Sequence, residues 1–449
     1  MSFPAAGSPE LLLLGTVYTL LAFVSPKLAL FAILPVIALA PETQIGQVLI
    51  RPDDLMIAIL AVSWGLRRLM NSVRDAAPLD QPLVWYFIVG LAATLWGAAI
   101  GTADLTSLSK FSASGLHLLK RLEFVLFFFI IKDTIRSIAD ARRLVSMFMI
   151  SLIGLSLYAF GSFRQTGTIA LGPSGTPIHE PGLASMLNVA LALGFLTDSG
   201  GIGRSWVMNA VLLGSLYTLP FGLGRNYLAA TLLMLLIVAV CRKRSGLLFL
   251  PVSALVLSLV AGFVLYPQNV TQRFLTLESA LGGSPQASAQ GVSLVDRLTP
   301  GIQHGWAVLT SSPLLGWGLG SVALGSIDSE YAGQFVYTGI VGFLVFVWVV
   351  RRIARTARET YRTARDTGSP ALPLIAGLQY CLLGYALYSL FSPSISAARA
   401  GAFFFTILGL VAVLYREVAM AGVQQTAPEE EAAGSQVGPL GVPSPEWTV

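Results

Sequence analysis

Apolar residues in this chain come in long blocks, not in alternation. The blocks cover 11–24, 28–40, 55–66, 83–100, 115–131, 144–160, 182–196, 206–221, 227–240, 246–265, 335–350, 372–391 and 398–415. At 1.5 Å rise per residue, about 20 helical residues cross a hydrocarbon layer of roughly 30 Å, and these blocks approach that length. A β-barrel would show short alternating segments instead. The pattern predicts an all-α fold, a polytopic helical membrane protein with about 12–14 transmembrane helices. The first two blocks are short and joined by Ser25, Pro26 and Lys27, which predicts a tight hairpin or one broken element.

Polar chain interrupts the series at length once. Residues 1–266 read as about ten transmembrane helices, 267–333 as an extracytoplasmic loop carrying short helices, and 334–420 as about three further transmembrane helices. After Ala421 the chain turns polar, with Glu429, Glu430 and Glu431 followed by Gly, Pro and Ser, and 421–449 is expected to be a disordered cytoplasmic tail.

Composition narrows the class. The chain has 449 residues, 55% hydrophobic and 11% charged, with mean hydropathy +0.73. Soluble domains use roughly 25% charged residues, so a water-soluble enzyme is excluded. The net charge of +5 matters less than its placement. Arg67, Arg68 and Arg74, then Arg242, Lys243 and Arg244, then Arg351, Arg352, Arg355, Arg358, Arg362 and Arg365 each abut an apolar block. These mark cytoplasmic loops; without aromatics interleaved for stacking they do not mark a nucleic-acid surface. Counting back from Arg416 then puts 267–333 outside, together with 161–179 and the turn at 222–225. No Lys or Arg precedes Leu11, so the first helix is expected to stay and not to be cleaved. Cys241 and Cys381 give no disulfide framework, and His117, His179 and His304 have no ligand spacing, so neither a metal site nor a cofactor is expected.

The long loop carries the most chemistry. Residues 278–293 are rich in Ser, Gly, Gln and Ala and read as linker. A helix is expected from Thr299, with Pro300 in its first turn, Leu298, Ile302, Trp306 and Val308 or Leu309 at helical spacing, and Ser311, Ser312 and Pro313 ending it. It would lie along the membrane surface or cover a cavity. Then come Pro313-Leu-Leu-Gly-Trp-Gly-Leu-Gly320, Asp328-Ser-Glu-Tyr331 and Gly339-Ile-Val-Gly342. The glycines lack the strand and the spacing of a dinucleotide fingerprint; they suit either a turn where backbone approaches backbone or a glycan-facing loop.

With Arg297 and Trp306 ahead of it, this series resembles the signature region of the O-antigen ligase and polymerase superfamily. Gly224-Arg225-Asn226, ahead of an apolar block, is similar to that family's Ser-Arg-Gly at a helix start. The stronger likeness spans Arg297 to Gly342, and a weaker one in helix order runs from Arg51 to Tyr415. The resemblance implies a membrane-embedded glycosyltransferase of a bacterial inner membrane. Such an enzyme takes glycan from an undecaprenyl-diphosphate carrier at the outer face, without cofactor or metal. Its substrate would be an undecaprenyl-diphosphate-linked glycan, and a chain-length regulator and a flippase are candidate partners. The ligases commonly have histidine where Asp328 stands, which favours a polymerase of O-antigen or exopolysaccharide repeat units over a ligase acting on lipid A core.

Such a reaction needs cations for the diphosphate and a base for the attacking hydroxyl. Arginine suits the first, since its planar fork binds phosphate oxygens in pairs and keeps its charge. Arg225, at the outer end of a helix, Arg297, Arg121 and Arg273 are the candidates, with weaker claims for Arg164 and Arg399. Snorkelling to headgroups is the simpler alternative for Arg225. Lys120 and Arg121 fall within a span, where they must face a polar cavity or a partner such as Glu123, unless the helix starts late and they snorkel. Asp328 and Glu330 are the candidate bases, of which at most one serves. Tyr331, Trp306, Trp317 and His179 are candidates for contacting glycan, the tryptophans by stacking on sugar rings. A transporter is the competing class, but it usually places carboxylates at mid-membrane, where only Glu123 qualifies.

Overall fold

The computed structural model describes residues 9–40, 43–45, 48–70, 76–103, 113–166, 180–198, 206–219, 225–243, 294–322, 327 and 329–434, with isolated positions between 246 and 260. Within these, 9–12, 43–45, 48–50, 113, 163–166, 225, 294–298, 300 and 422–434 are described by their backbone. The elements among the described residues are α1 (Pro9–Val24), α2 (Pro26–Leu39), β1 (Thr43–Ile45), β2 (Val48–Ile50), α3 (Pro52–Met70), α4 (Asp80–Ala99), α5 (Ala113–Thr134), α6 (Ile138–Thr166), α7 (Glu180–Asp198), α8 (Trp206–Thr218), α9 (Arg225–Arg242), α10 (Leu294–Ser311), α11 (Glu330–Asp366), α12 (Leu372–Tyr388) and α13 (Ala398–Gly434). The chain is a polytopic helical membrane protein. Helices α4, α6, α7, α11 and α13 are long and apolar enough to cross a bilayer, and α1, α2, α8, α9 and α12 are shorter apolar helices.

The first two blocks form a hairpin broken at Ser25. Its hydroxyl accepts from the Leu28 amide (3.4 Å), Pro26 occupies the first turn of α2, and the Tyr18 hydroxyl reaches across to the Ala29 carbonyl (3.5 Å). At 14 residues α2 measures about 21 Å, short of the roughly 30 Å layer. It gives way to the antiparallel pair β1–β2, in which Thr43 opposes Ile50.

The core forms around α7 and α13, each with 89% of its span buried. α7 packs among α6, α8, α9 and α12, and α13 against α5 and α11. Small residues permit the closest approach: a Cβ on Gly194 of α7 would lie 2.1 Å from the Gly377 nitrogen of α12.

Helix ends sort the charges. At one end Arg68 pairs with Asp133 (2.7 Å), Lys132 with Asp80 (2.6 Å) and Arg242 with Asp198 (2.8 Å), and Arg416 donates to the Ile135 carbonyl (2.9 Å). The exposed arginines Arg351, Arg355, Arg358, Arg362 and Arg365 extend α11 at that same end. Following the charge bias, it is termed the inner end and the opposite one the outer end.

Two boundaries differ from those expected. α10 starts at Leu294, ahead of Thr299, because Leu294 and Leu298 carry the apolar i, i+4 pattern one turn upstream. α13 runs through the start of the polar tail to Gly434, where disorder was expected after Ala421; Ala and Glu, abundant there, are strong helix formers. Most of the apolar block 246–265, and the tail 435–449, lie outside the described residues.

Candidate active site at the outer end

α11 breaks at Gly339 (φ 62°, ψ −163°), and the segment 312–320 fills the break. The Trp317 and Gly318 amides donate to the carbonyls of Val336 (3.1 Å) and Tyr337 (3.0 Å). The Ile340 and Val341 amides in turn donate to Pro313 (2.9 Å) and Leu314 (3.1 Å). Non-helical backbone at membrane depth is stable when its polar groups are satisfied inside the protein, and this pairing does so. Gly316, Gly318, Gly320 and Gly339 all have positive φ. The glycine run therefore serves close backbone approach. α4 completes the seat: the Leu319 amide donates to the Thr94 hydroxyl (3.3 Å), and the Trp96 indole to the Ser312 hydroxyl (2.7 Å).

The short helical piece before the break carries a polar face, with Glu330, Gln334 and Thr338 at i, i+4 and i+8. The Gln334 side-chain amide donates to Glu330 Oε1 (2.7 Å) and to the Tyr86 hydroxyl (3.1 Å), and its Oε1 accepts from Arg121 (2.9 Å). Arg121 is 7% exposed, and its guanidinium lies 4.1 Å from the centre of the Tyr86 ring. Gly90 makes room for it, since a Cβ there would sit 2.6 Å from Arg121 Nη1. Glu330 is 2% exposed and holds the turn before α13, accepting from the amides of Ile395 (2.9 Å) and Ser396 (3.1 Å) and from the Ser396 hydroxyl (2.8 Å). Arg121, Lys120, His117, Ser396, Gly320 and Tyr86 line a cavity of about 30 Å³ between these elements.

Other charges surround this cluster. Lys120 pairs with Asp54 and with Glu123 (3.0 Å). Arg51 pairs with Asp53 (2.9 Å), and Arg399 with Glu180 (3.0 Å). Arg51 and Arg399, each 1% exposed, also donate to the Ile37 carbonyl, at 2.7 and 3.1 Å, and Arg399 to that of Ala40 (3.1 Å). They thereby satisfy carbonyls that the end of α2 leaves without helical partners. Among the described residues, Arg121 is the cation of this outer layer that no carboxylate holds.

Of the residues singled out in the sequence, the structure joins Arg121 to Glu330 through Gln334. Lys120 has the expected partner Glu123. Tyr331 is half-buried against Phe346, with its hydroxyl 3.4 Å from the Ala386 carbonyl. Trp317 is fixed by Ser311 (2.9 Å) and by an edge contact with His304. Trp306 is not brought to the cluster. α10 turns Gly301 and Gly305 toward Ala332 and Phe335 of α11 and leaves Ile302 and Trp306 about 70% and 69% exposed. Arg225 opens α9, and its neighbour Asn226 donates to the Phe391 carbonyl (2.6 Å); Arg297 lies in the first turn of α10. Asp328, Arg273, His179 and Arg164's side chain lie outside the described residues.

Sequence reasoning missed Tyr86, Gln334, Ser396 and Arg51. Gln334 stands one helical turn from Glu330, and Arg51 interrupts apolar chain ahead of Asp53 and Asp54, so both left a signal. No family model and no curated protein matches this chain.

Proposed function

We propose that the chain is a membrane-embedded polymerase of undecaprenyl-diphosphate-linked oligosaccharide repeat units, of the O-antigen or exopolysaccharide kind, working at the outer face of a bacterial inner membrane. The observation that carries this reading is Arg121: a buried guanidinium lining a small cavity, held by the neutral Gln334 and Tyr86 and not by a carboxylate. A cation kept without an anion in low dielectric attracts one strongly, and a diphosphate suits its fork.

In the proposed reaction, a hydroxyl of the acceptor glycan attacks the anomeric carbon of the donor glycan. The bond from that carbon to the diphosphate oxygen breaks, and undecaprenyl diphosphate leaves with the electron pair. Arg121 stabilises the charge that develops on the leaving group, with Arg225, Arg297 and Arg273 as candidate further arms of the cradle. The hydroxyl proton passes to a carboxylate. The lone pairs of Glu330 are engaged by Gln334, Ile395 and Ser396, which suits a positioning residue, so the base is assigned to Asp328, two residues upstream.

The test is to delete the gene in its own host and compare surface or secreted polysaccharide with extracted undecaprenyl-linked intermediates. Accumulated single repeat units with loss of long chains support the proposal. Long carrier-linked chains with bare lipid A would replace it with a ligase, and unchanged glycan in both fractions would overturn both.

A further inference from the structure

We infer that a groove between α9, α11 and α12 is a binding site for an anionic phospholipid of the inner leaflet. This goes beyond the reading of the outer site and stands without it. The groove has a volume of about 970 Å³, near the top of the roughly 300–1,000 Å³ range of ligand sites. Its body is apolar: Ile237 and Val238 from α9, Phe346, Val350 and Ile353 from α11, and Leu383 from α12. Such a surface on a membrane-embedded bundle suits acyl chains.

Its inner rim is cationic. Arg358, Arg362 and Arg365 stand at i, i+4 and i+7 on one exposed face of α11, and all three line the groove. Among the described residues they carry no ion pair, whereas Arg355, on the same helix, is held by Glu359 (2.8 Å). Arg242, also at the rim, is locked to Asp198 (2.8 Å) and to the Tyr380 hydroxyl (2.9 Å). Asp366 is the other acid there. Three arginines against one aspartate leave the rim positive, and the forks match phosphate oxygens. Basic pockets between transmembrane helices on the cytoplasmic side are where anionic headgroups bind, with chains along the helices. Charge complementarity at the rim and the apolar body thus define the same ligand.

The full-length protein, purified in detergent, is analysed by native mass spectrometry after titration with phosphatidylglycerol, cardiolipin, phosphatidylcholine, undecaprenyl phosphate or glycerol phosphate. The expected result is retention of phosphatidylglycerol or cardiolipin over phosphatidylcholine. Retention falls at least about tenfold in the triple variant Arg358→Gln, Arg362→Gln, Arg365→Gln. It falls also in Ala354→Trp, which places bulk on an exposed groove wall, and is unchanged in Arg351→Gln with Arg355→Gln. Equal loss in the latter pair, indifference to Ala354→Trp, preference for undecaprenyl phosphate, or equal binding of free glycerol phosphate would each overturn the proposal.

Discussion

Gly316 and Gly339 meet backbone to backbone: a Cβ on either would lie 2.6 Å from the amide nitrogen of the other. Both have positive φ, 69° and 62°. This contact fixes the glycine-rich segment in the break of α11 and aims the Glu330–Gln334 face at Arg121.

Alanine at Gly316 or Gly339 is therefore expected to unseat the segment. A positive φ alone strains an L side chain by about 1–3 kcal/mol, the more so at Gly339, whose ψ of −163° lies in a region essentially confined to glycine, and backbone contact below 3 Å adds to it. Both variants should give a clearly lower midpoint of thermal unfolding and lower monodisperse yield. Gly65→Ala, in α3 with nothing within 4 Å of a Cβ, should stay within about 1 kcal/mol of the parent.

Replacing Arg121 tests the cradle. Arg121→Ala should lower polymer formation from purified lipid-linked repeat units about a hundredfold, the scale for losing one donor that stabilises developing charge. Arg121→Lys should not restore it, because lysine lacks the fork that meets Gln334 and the planar group that stacks on Tyr86.

The two carboxylates should separate cleanly. Glu330→Gln keeps an acceptor for the turn before α13 and should retain activity within about tenfold, while Glu330→Ala leaves the Ile395 and Ser396 amides unpaired and should cost about 1–3 kcal/mol of stability. Asp328→Asn should abolish turnover in a protein of parental stability. Activity lost in Glu330→Gln and kept in Asp328→Asn would exchange the roles.

The faces of α10 should differ as their burial does. Trp306→Ala should change stability by no more than about 0.5 kcal/mol, whereas Val308→Ala, at a position with no exposure, should cost about 1–2 kcal/mol. Thermal unfolding of the two variants in the same detergent decides it.

Helix number was legible because block length acts locally. Among the described residues twelve of the apolar blocks coincide with helices, the block 246–265 lying mostly outside them, and the pairs Arg68–Asp133 and Arg242–Asp198 gather at one end of the bundle. The glycine run was half legible: its residues announce positive φ, but its partner at Gly339 is long-range. The charged cluster was less so. Lys120 and Arg121 stood out as cations within a span, yet their separate roles depend on Asp54, from α3, and Gln334, from α11. Arg399 ranked low because nothing near it in sequence reveals the Ile37 and Ala40 carbonyls it meets across the fold. Trp306, grouped with the site by its aromatic ring, faces away because Gly301 and Gly305 form the packing side of α10.

Mass spectrometry of undecaprenyl-diphosphate-linked glycans, from host cells whose sole copy of the protein carries Arg121→Ala at a membrane level matched to the parent, decides the role of Arg121. Single carrier-linked repeat units should accumulate and long chains should be lost. A parental chain-length distribution with no accumulated carrier-linked units would contradict that role.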